Sequence, residues 1–282
     1  MNNGMDFYAI EPASAGLAAA RVKRIMEGVG AVMVSGMEQR PEAKPYEVVG
    51  GVAVMAMRGL MVASALPWEL ELADMSRIES GLKAAGRDPE VSSILISVDS
   101  PGGQVTGTIS LSDTVAAVNK IKPITAHIGG VGASAGYWVA SQAGKVTADR
   151  MARIGAIGVV DILYDDSAAA LAAGIKPVVI ETSPLKSMGM PGVPVSAEMV
   201  EEAKRIVAGY MEAFTASIKA GRGIDPKTVA TGQTWFAKDA KALGLIDRIA
   251  TFDETLTAMI EKNNATAKAR TAQARGRMAL LD

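Results

Sequence analysis

Residues 127–140, His-Ile-Gly-Gly-Val-Gly-Ala-Ser-Ala-Gly-Tyr-Trp-Val-Ala, are the stretch that most constrains the fold. An apolar run at 124–128 predicts a strand, and three glycines follow it. Ser134 then stands between two alanines, ahead of a second apolar run. Because glycine permits sharp turns and close backbone approach, we predict a strand, a tight turn and a buried helix that begins near Ser134.

Two interpretations of Ser134 are open at this point. The residue is either a capping serine in a glycine- and alanine-rich turn, or a nucleophile beside the unpaired N–H groups and positive dipole end of a helix. Its small neighbours leave the hydroxyl uncrowded, which suits nucleophilic attack and stabilisation of the resulting oxyanion. The choice depends on the rest of the chain.

Buried strands alternate with amphipathic helices on either side of this stretch. We predict strands at 48–57, 91–98, 123–128, 177–181 and 245–249, and helices at 13–28, 70–85, 106–120, 166–173 and 197–220. Short segments at 145–148 and 158–164 alternate with these elements. This alternation predicts an α/β fold built on a parallel sheet. Ligands of such sheets bind beyond the carboxyl ends of the strands, where the glycine-rich turns 99–103 and 129–134 both lie.

Composition excludes several classes of protein and site. The chain has 282 residues, 49% of them hydrophobic, and a net charge of −1, which gives no case for binding nucleic acid or a membrane surface. There is no cysteine and one histidine, His127, so thiol catalysis and a histidine-rich metal site are excluded. No signal peptide or spanning segment is evident. We therefore expect a soluble, cytoplasmic protein.

A nucleophilic Ser134 needs a proton acceptor. His127 is one candidate, but it lies on the strand that enters the turn. Lys186 is the other, because no acidic residue occurs between 182 and 196. Lysine has an ordinary pKa of about 10.4, so this role requires burial to favour the neutral amine. By itself, Lys186 is equally consistent with an exposed loop lysine.

The oxyanion would need backbone donors. The turn Pro101-Gly102-Gly103 offers N–H groups that no side chain obstructs, and the N–H of Ala135 follows the nucleophile directly. The turn 101–103 and Ala135 are therefore candidate oxyanion donors, although Pro-Gly-Gly also occurs as a plain turn.

Four segments in order resemble the signal-peptide-peptidase-A-like serine peptidases, and most closely their bacteriophage head (capsid) maturation branch of the lambda type. These segments are Asp99-Ser100-Pro101-Gly102-Gly103, Ala133-Ser134-Ala135-Gly136-Tyr137, Lys186, and the stretch from Gly232-Gln233-Thr234-Trp235 to Ala242-Leu243-Gly244-Leu245-Ile246-Asp247. The resemblance covers roughly 46–260. It implies the fold shared by Clp protease and crotonase, and a Ser-Lys dyad of Ser134 and Lys186. It also implies that the N–H groups of Gly103 and Ala135 form the oxyanion hole.

The same resemblance implies a homo-oligomer that needs no metal or nucleotide cofactor. Its expected partners are protein or peptide substrates and, in a phage setting, capsid, portal or scaffold proteins in the host cytoplasm or in assembling heads; neither nucleic acid nor membrane is expected. We divide the chain into an N-terminal extension and linker (1–45), a serine peptidase domain (46–260) and a basic, alanine-rich tail (261–282).

One departure from the family pattern concerns the lysine. Relatives commonly have Gly-Ser-Ile/Leu-Gly-Val where this chain has Gly155-Ala156-Ile157-Gly158-Val159, and the family serine helps to orient the lysine. Thr182, Ser183 or Ser187 would have to substitute. Two alternatives to the peptidase are a crotonase-type acyl-CoA enzyme and a non-catalytic capsid-associated protein that has kept the fold.

Overall fold

A computed structural model describes residues 8–10, 44–66, 69 and 71–278. The strands are β1 (Tyr8–Ile10), β2 (Glu47–Val49), β3 (Val52–Arg58), β4 (Leu60–Val62), β5 (Leu72–Asp74), β6 (Ser93–Ser100), β7 (Gly102–Gln104), β8 (Ile124–Ala133), β9 (Lys145–Ala148), β10 (Arg153–Gly155), β11 (Thr234–Phe236) and β12 (Arg248–Ile249). The helices are α1 (Met75–Arg87), α2 (Thr108–Asn119), α3 (Ala135–Ala140), α4 (Ser167–Ala172), α5 (Ala197–Arg222), α6 (Ala237–Ala242) and α7 (Phe252–Met278), with 3₁₀ turns at Pro184–Ser187 and Pro226–Thr228.

Parallel pairing of β3, β6 and β8 forms the centre of the larger sheet. Its strand order is β11-β10-β8-β6-β3-β2, and β9 joins β8 beside β12. Residues of β6 are buried on both faces, as is typical of a parallel strand covered on each side. The predicted α/β class with a mainly parallel sheet is confirmed.

Two predicted boundaries move for local reasons. The single strand predicted at 48–57 is a hairpin of β2 and β3, because Gly50 and Gly51 both have positive φ, 56° and 74°. Two such residues make the tight turn that favours hairpins. The helix predicted from 70 starts at Met75, where the Asp74 side chain accepts the N–H of Arg77 and caps the first turn.

The strand predicted at 177–181 is wrong for the single chain, and the short segment 158–164 is not a strand either. Apart from a bridge at Val160, both segments are irregular, and Val178 and Ile180 are 84% and 95% exposed. The apolar pattern there does indicate surface suited to burial, but no strand of the described chain pairs along these segments.

A smaller four-stranded sheet, ordered β1-β7-β4-β5, holds the glycine-rich turn after β6. Gly103 of β7 lies against β4, so closely that an added Cβ would stand 2.0 Å from the Met61 carbonyl oxygen. No larger residue fits at 103 without moving β4. This sheet therefore fixes the backbone of the predicted oxyanion turn.

The C-terminal region continues as helix. Residues 262–277, which belong to the basic, alanine-rich tail, are part of α7. The helix predicted at 13–28 lies outside the described residues. Within the ranges described above, no helix combines the length and apolarity needed to cross a bilayer.

Candidate active site

Ser134 occupies a strained turn between β8 and α3. Its φ of 51° and ψ of −122° are unusual for a residue with a side chain. The Ser134 N–H donates to the Gly155 carbonyl at 2.7 Å, and the Ser134 carbonyl accepts the Trp138 N–H at 2.8 Å. Strained residues of this kind cluster at functional sites, where surrounding structure holds them in place.

The helix that follows Ser134 is anchored in the core. All six residues of α3 are buried, and the Trp138 ring stacks on Phe214 of α5 with centroids 4.3 Å apart. The Tyr137 hydroxyl donates to the Leu245 carbonyl at 2.7 Å. Burial raises the pKa of Tyr137 well above its ordinary value, so its hydroxyl stays a donor. The position of Ser134 is thus set by packing on both sides.

The Ser134 hydroxyl is loosely held. Its Oγ donates to the Gly158 carbonyl at 3.4 Å, which is long for an O–H···O bond. Ser134 is fully buried in the single chain. The residues 155–159, which the family pattern singled out, thus contact the serine through both its N–H and its hydroxyl.

The chain at the end of β10 packs closely against residues 233–235, at Gly155 and at Ala156. A Cβ on Gly155, whose φ is 121°, would lie 2.7 Å from the Trp235 ring. Ala156 also has a positive φ, 47°, and its N–H donates to the Gln233 carbonyl at 2.7 Å. The segment 232–235 therefore supports the backbone on which Ser134 rests, a role that its sequence alone did not reveal.

The predicted oxyanion turn lies next to the start of α3. A Cβ on Gly136 would meet the Ser100 carbonyl oxygen at 3.0 Å, so only glycine allows this spacing without adjustment. The Ser100 hydroxyl donates to the Gly59 carbonyl at 2.7 Å and accepts the Gly102 N–H at 3.2 Å. Ser100 thereby fixes the turn that leads to Gly103.

Ala135 supplies the other predicted donor. It is the first residue of α3, and the first N–H groups of a helix have no partner within it. The fold therefore brings the turn that carries Gly103 close to the helix terminus that carries Ser134 and Ala135.

The His127 side chain contacts residues of β9 and its flanking turn, and, within the described part of the chain, its ring forms no hydrogen bond with Ser134. Its buried ring has Nδ1 3.0 Å from the Thr147 hydroxyl and Nε2 3.7 Å from the Asp149 carboxylate. Burial lowers the pKa of His127, against a smaller opposing effect of Asp149. Thr147 in turn contacts Thr255 of α7. These contacts assign His127 to the packing of α7 on the sheet.

Lys186 lies on the 3₁₀ turn Pro184–Ser187 and is exposed. Its amine has no hydrogen-bond or ion-pair partner among the residues that the structure describes. The burial that we predicted for Lys186 is therefore not present in the single chain. The physical reason is that the preceding residues 171–184 are themselves exposed and provide no buried environment for the amine.

The turn that carries Lys186 is nevertheless anchored from its other side. The Ser187 N–H donates to the Glu181 carboxylate at 3.1 Å. Met188 packs against Met199 and Ala203 of α5. Of the hydroxyls expected to replace the family serine, those of Thr182 and Ser183 belong to exposed residues. Ser187 is buried, and its Oγ is 3.5 Å from the Pro184 carbonyl.

In a comparison with known protein families, residues 116–266 match the family described as Peptidase family S49. The matched range contains both Ser134 and Lys186. Among curated proteins, the chain is 27% identical over 238 residues to capsid assembly protease C of Escherichia phage lambda, covering 83% of this chain and 54% of that protein.

Other curated relatives agree with this match. Protease 4 of Salmonella typhi is 28% identical, over 64% of this chain and 30% of that protein. Head-tail preconnector protein GP5 of Enterobacteria phage P21 is 24% identical, over 82% of this chain and 46% of that protein. The chain thus spans about half the length, or less, of these relatives.

Solved structures with a similar chain course include an enoyl-CoA hydratase/isomerase family protein from Silicibacter pomeroyi. It superposes with a TM-score of 0.49 at 16% identity, covering 79% of this chain and 81% of that one.

Proposed function

The chain belongs to peptidase family S49, and from that premise we propose that it is a serine endopeptidase with Ser134 as its nucleophile. The observation that carries the proposal is the strained backbone at Ser134, which presents a loosely bonded hydroxyl at the start of a buried helix. The adjacent turn ending at Gly103 supports an oxyanion hole. The family match favours this activity over an acyl-CoA enzyme.

In the proposed reaction, Ser134 Oγ attacks the carbonyl carbon of a peptide bond. Neutral Lys186 accepts the hydroxyl proton and then gives a proton to the leaving amine. The N–H groups of Gly103 and Ala135 hold the negative oxygen. Water, deprotonated by the same lysine, then hydrolyses the acyl-enzyme and restores the hydroxyl of Ser134.

We infer that a second copy of the chain shields Lys186. A lysine base must be desolvated to be neutral near pH 7, and Lys186 is exposed in the single chain. The surrounding segments carry exposed apolar side chains, including Tyr164 at 74%, Val178 at 84% and Ile180 at 95%. Such a patch is typical of an interface between subunits, so the proposed active form is a homo-oligomer.

The proposed substrates are proteins of phage capsid assembly. This step relies on the names of two relatives, a capsid assembly protease and a head-tail preconnector protein. On this proposal the enzyme acts in the host cytoplasm or inside assembling heads, on capsid, portal or scaffold proteins.

The test combines proteolysis with active-site labelling. Ser134→Ala and Lys186→Ala should each abolish cleavage of capsid and scaffold proteins from the same genome. Mass spectrometry of the new chain termini detects this cleavage. Lys227→Ala, at an exposed lysine on the 3₁₀ turn Pro226–Thr228 and outside the proposed interface segments, should retain cleavage and is the matched control. A phosphonate probe should label Ser134 in the assembled wild type. Cleavage by both active-site variants would contradict the mechanism.

A further inference from the structure

Both edges of the strand that carries Gly103 are paired within this chain. On one side β7 pairs with β4, where Gly103 lies opposite Met61. On the other side β7 pairs antiparallel with β1, which places Ala9 opposite Gly103 and Ile10 opposite Gly102. The N-terminal segment 8–10 therefore runs directly along the predicted oxyanion turn.

This arrangement matters because extended peptides commonly bind by adding a strand to an open sheet edge. The side of β7 that β1 covers is the edge that a peptide would need in order to lie alongside Gly103. The carbonyl of Ser100, just before β7, is also the group closely approached by Gly136 of α3. A strand on β7 thus lies beside the segments that carry both proposed catalytic features.

We propose that residues 8–10 form an internal inhibitory strand, which occupies the peptide-binding edge of β7 and must leave before a substrate can pair beside Gly103. This inference rests on the proposed peptidase function. The strand has three residues, and so short an edge strand belongs to the least stable part of a fold. Its pairing is through the backbone, so another extended peptide can replace it.

Peptide binding tests the inhibitory strand without requiring catalysis. The probe is a fluorescein-labelled peptide of residues 5–13, Met-Asp-Phe-Tyr-Ala-Ile-Glu-Pro-Ala, added to full-length Ser134→Ala protein. Ala9→Pro in the same background removes one backbone N–H and fixes φ, which disfavours β1. Asn3→Pro, five residues before Tyr8 in the sequence, is the matched control.

We expect the Ala9→Pro protein to bind the probe at least about tenfold more tightly than either the Ser134→Ala parent or the Asn3→Pro control, because occlusion reduces apparent affinity by the fraction of open molecules. Hydrogen exchange should show faster exchange at 102–104 in the Ala9→Pro protein and unchanged protection in β6, which verifies folding. Equal probe affinity in all three folded proteins would overturn the inhibitory strand.

Activity separates this inference from the proposed function. With Ser134 intact, Ala9→Pro should cleave a peptide substrate several times faster than wild type or Asn3→Pro, and excess unlabelled 5–13 peptide should reverse the gain. A gain in probe binding with no hydrolysis by any protein would leave the inhibitory strand supported and overturn the peptidase proposal. Faster hydrolysis with no gain in binding would overturn the inhibitory strand alone.

Discussion

The strained backbone of Ser134 predicts that two inactive variants differ in stability. With φ at 51° and ψ at −122°, the residue occupies a region that glycine adopts readily and other residues rarely do. Ser134→Gly should relieve this strain, whereas Ser134→Ala should retain it. Both variants lose the long hydrogen bond to Gly158, so comparison between them isolates the backbone term.

The expected difference follows from two opposing effects. A side-chain-bearing residue in a sparsely populated region costs about 1–3 kcal/mol. Glycine lowers the free energy of unfolding by about 0.4–1 kcal/mol, because it increases the conformational freedom of the unfolded chain. Ser134→Gly should therefore be more stable than Ser134→Ala by about 1 kcal/mol, which corresponds to a rise in Tm of about 2–4 °C for a domain of similar size.

Urea unfolding followed by circular dichroism, with thermal melts at equal protein concentration, measures this difference. Neither variant should hydrolyse peptide substrates or react with the phosphonate probe. If Ser134→Gly is no more stable than Ser134→Ala, the turn is not strained in the folded protein. The link between that backbone and presentation of the nucleophile would then be refuted.

Three other substitutions test the surroundings of the site. Gly103→Ala should destabilise the fold by about 1–3 kcal/mol, measured by urea unfolding, because its Cβ would lie 2.0 Å from the Met61 carbonyl oxygen. Phe214→Ala removes the stack on Trp138 and should cost about 3–5 kcal/mol in the same assay. Burial lowers the pKa of His127, so the unfolded chain binds its proton first and stability should fall as pH drops below about 6.5. His127→Asn should flatten that dependence between about pH 7.5 and 5.5, measured by urea unfolding at each pH.

Each of these expectations has a contrary result. A Gly103→Ala protein with an unchanged urea midpoint would mean that β4 yields without cost. A loss below about 1 kcal/mol for Phe214→Ala would mean that the core refills the space. An unchanged pH dependence in His127→Asn would assign the acid sensitivity to carboxylates, since His127 is the sole histidine.

Much of the central fold follows from sequence because its determinants are local. Residues 91–98 and 124–128 are rich in apolar, β-branched side chains. Positions 93–98 and 124–128 of these stretches fall within β6 and β8, which are buried in the centre of the sheet. The hairpin at Gly50 and Gly51 was missed because the flanking apolar residues suggested one continuous strand. Its signal was the glycine pair itself, which supplies two positive φ angles.

The backbone features of the site could also be predicted from local sequence, whereas features that depend on distant groups could not. The small residues beside Ser134 and the glycines after Pro101 mark backbone that must approach closely, and the structure brings these segments together. Lys186 was harder to place, because a lack of nearby acids in sequence does not establish burial. Under the proposed function, shielding of its amine from solvent requires a second copy of the chain. Pairing of residues 8–10 with β7 joins distant segments that no sequence periodicity connects.

The most direct test of the proposed Ser-Lys dyad is the distance between Ser134 Oγ and Lys186 Nζ in an experimental structure of the assembled protein. We predict that the two atoms lie about 2.6–3.2 Å apart, with the amine covered by apolar groups. An amine that points into bulk solvent in every subunit of the intact assembly would contradict the account.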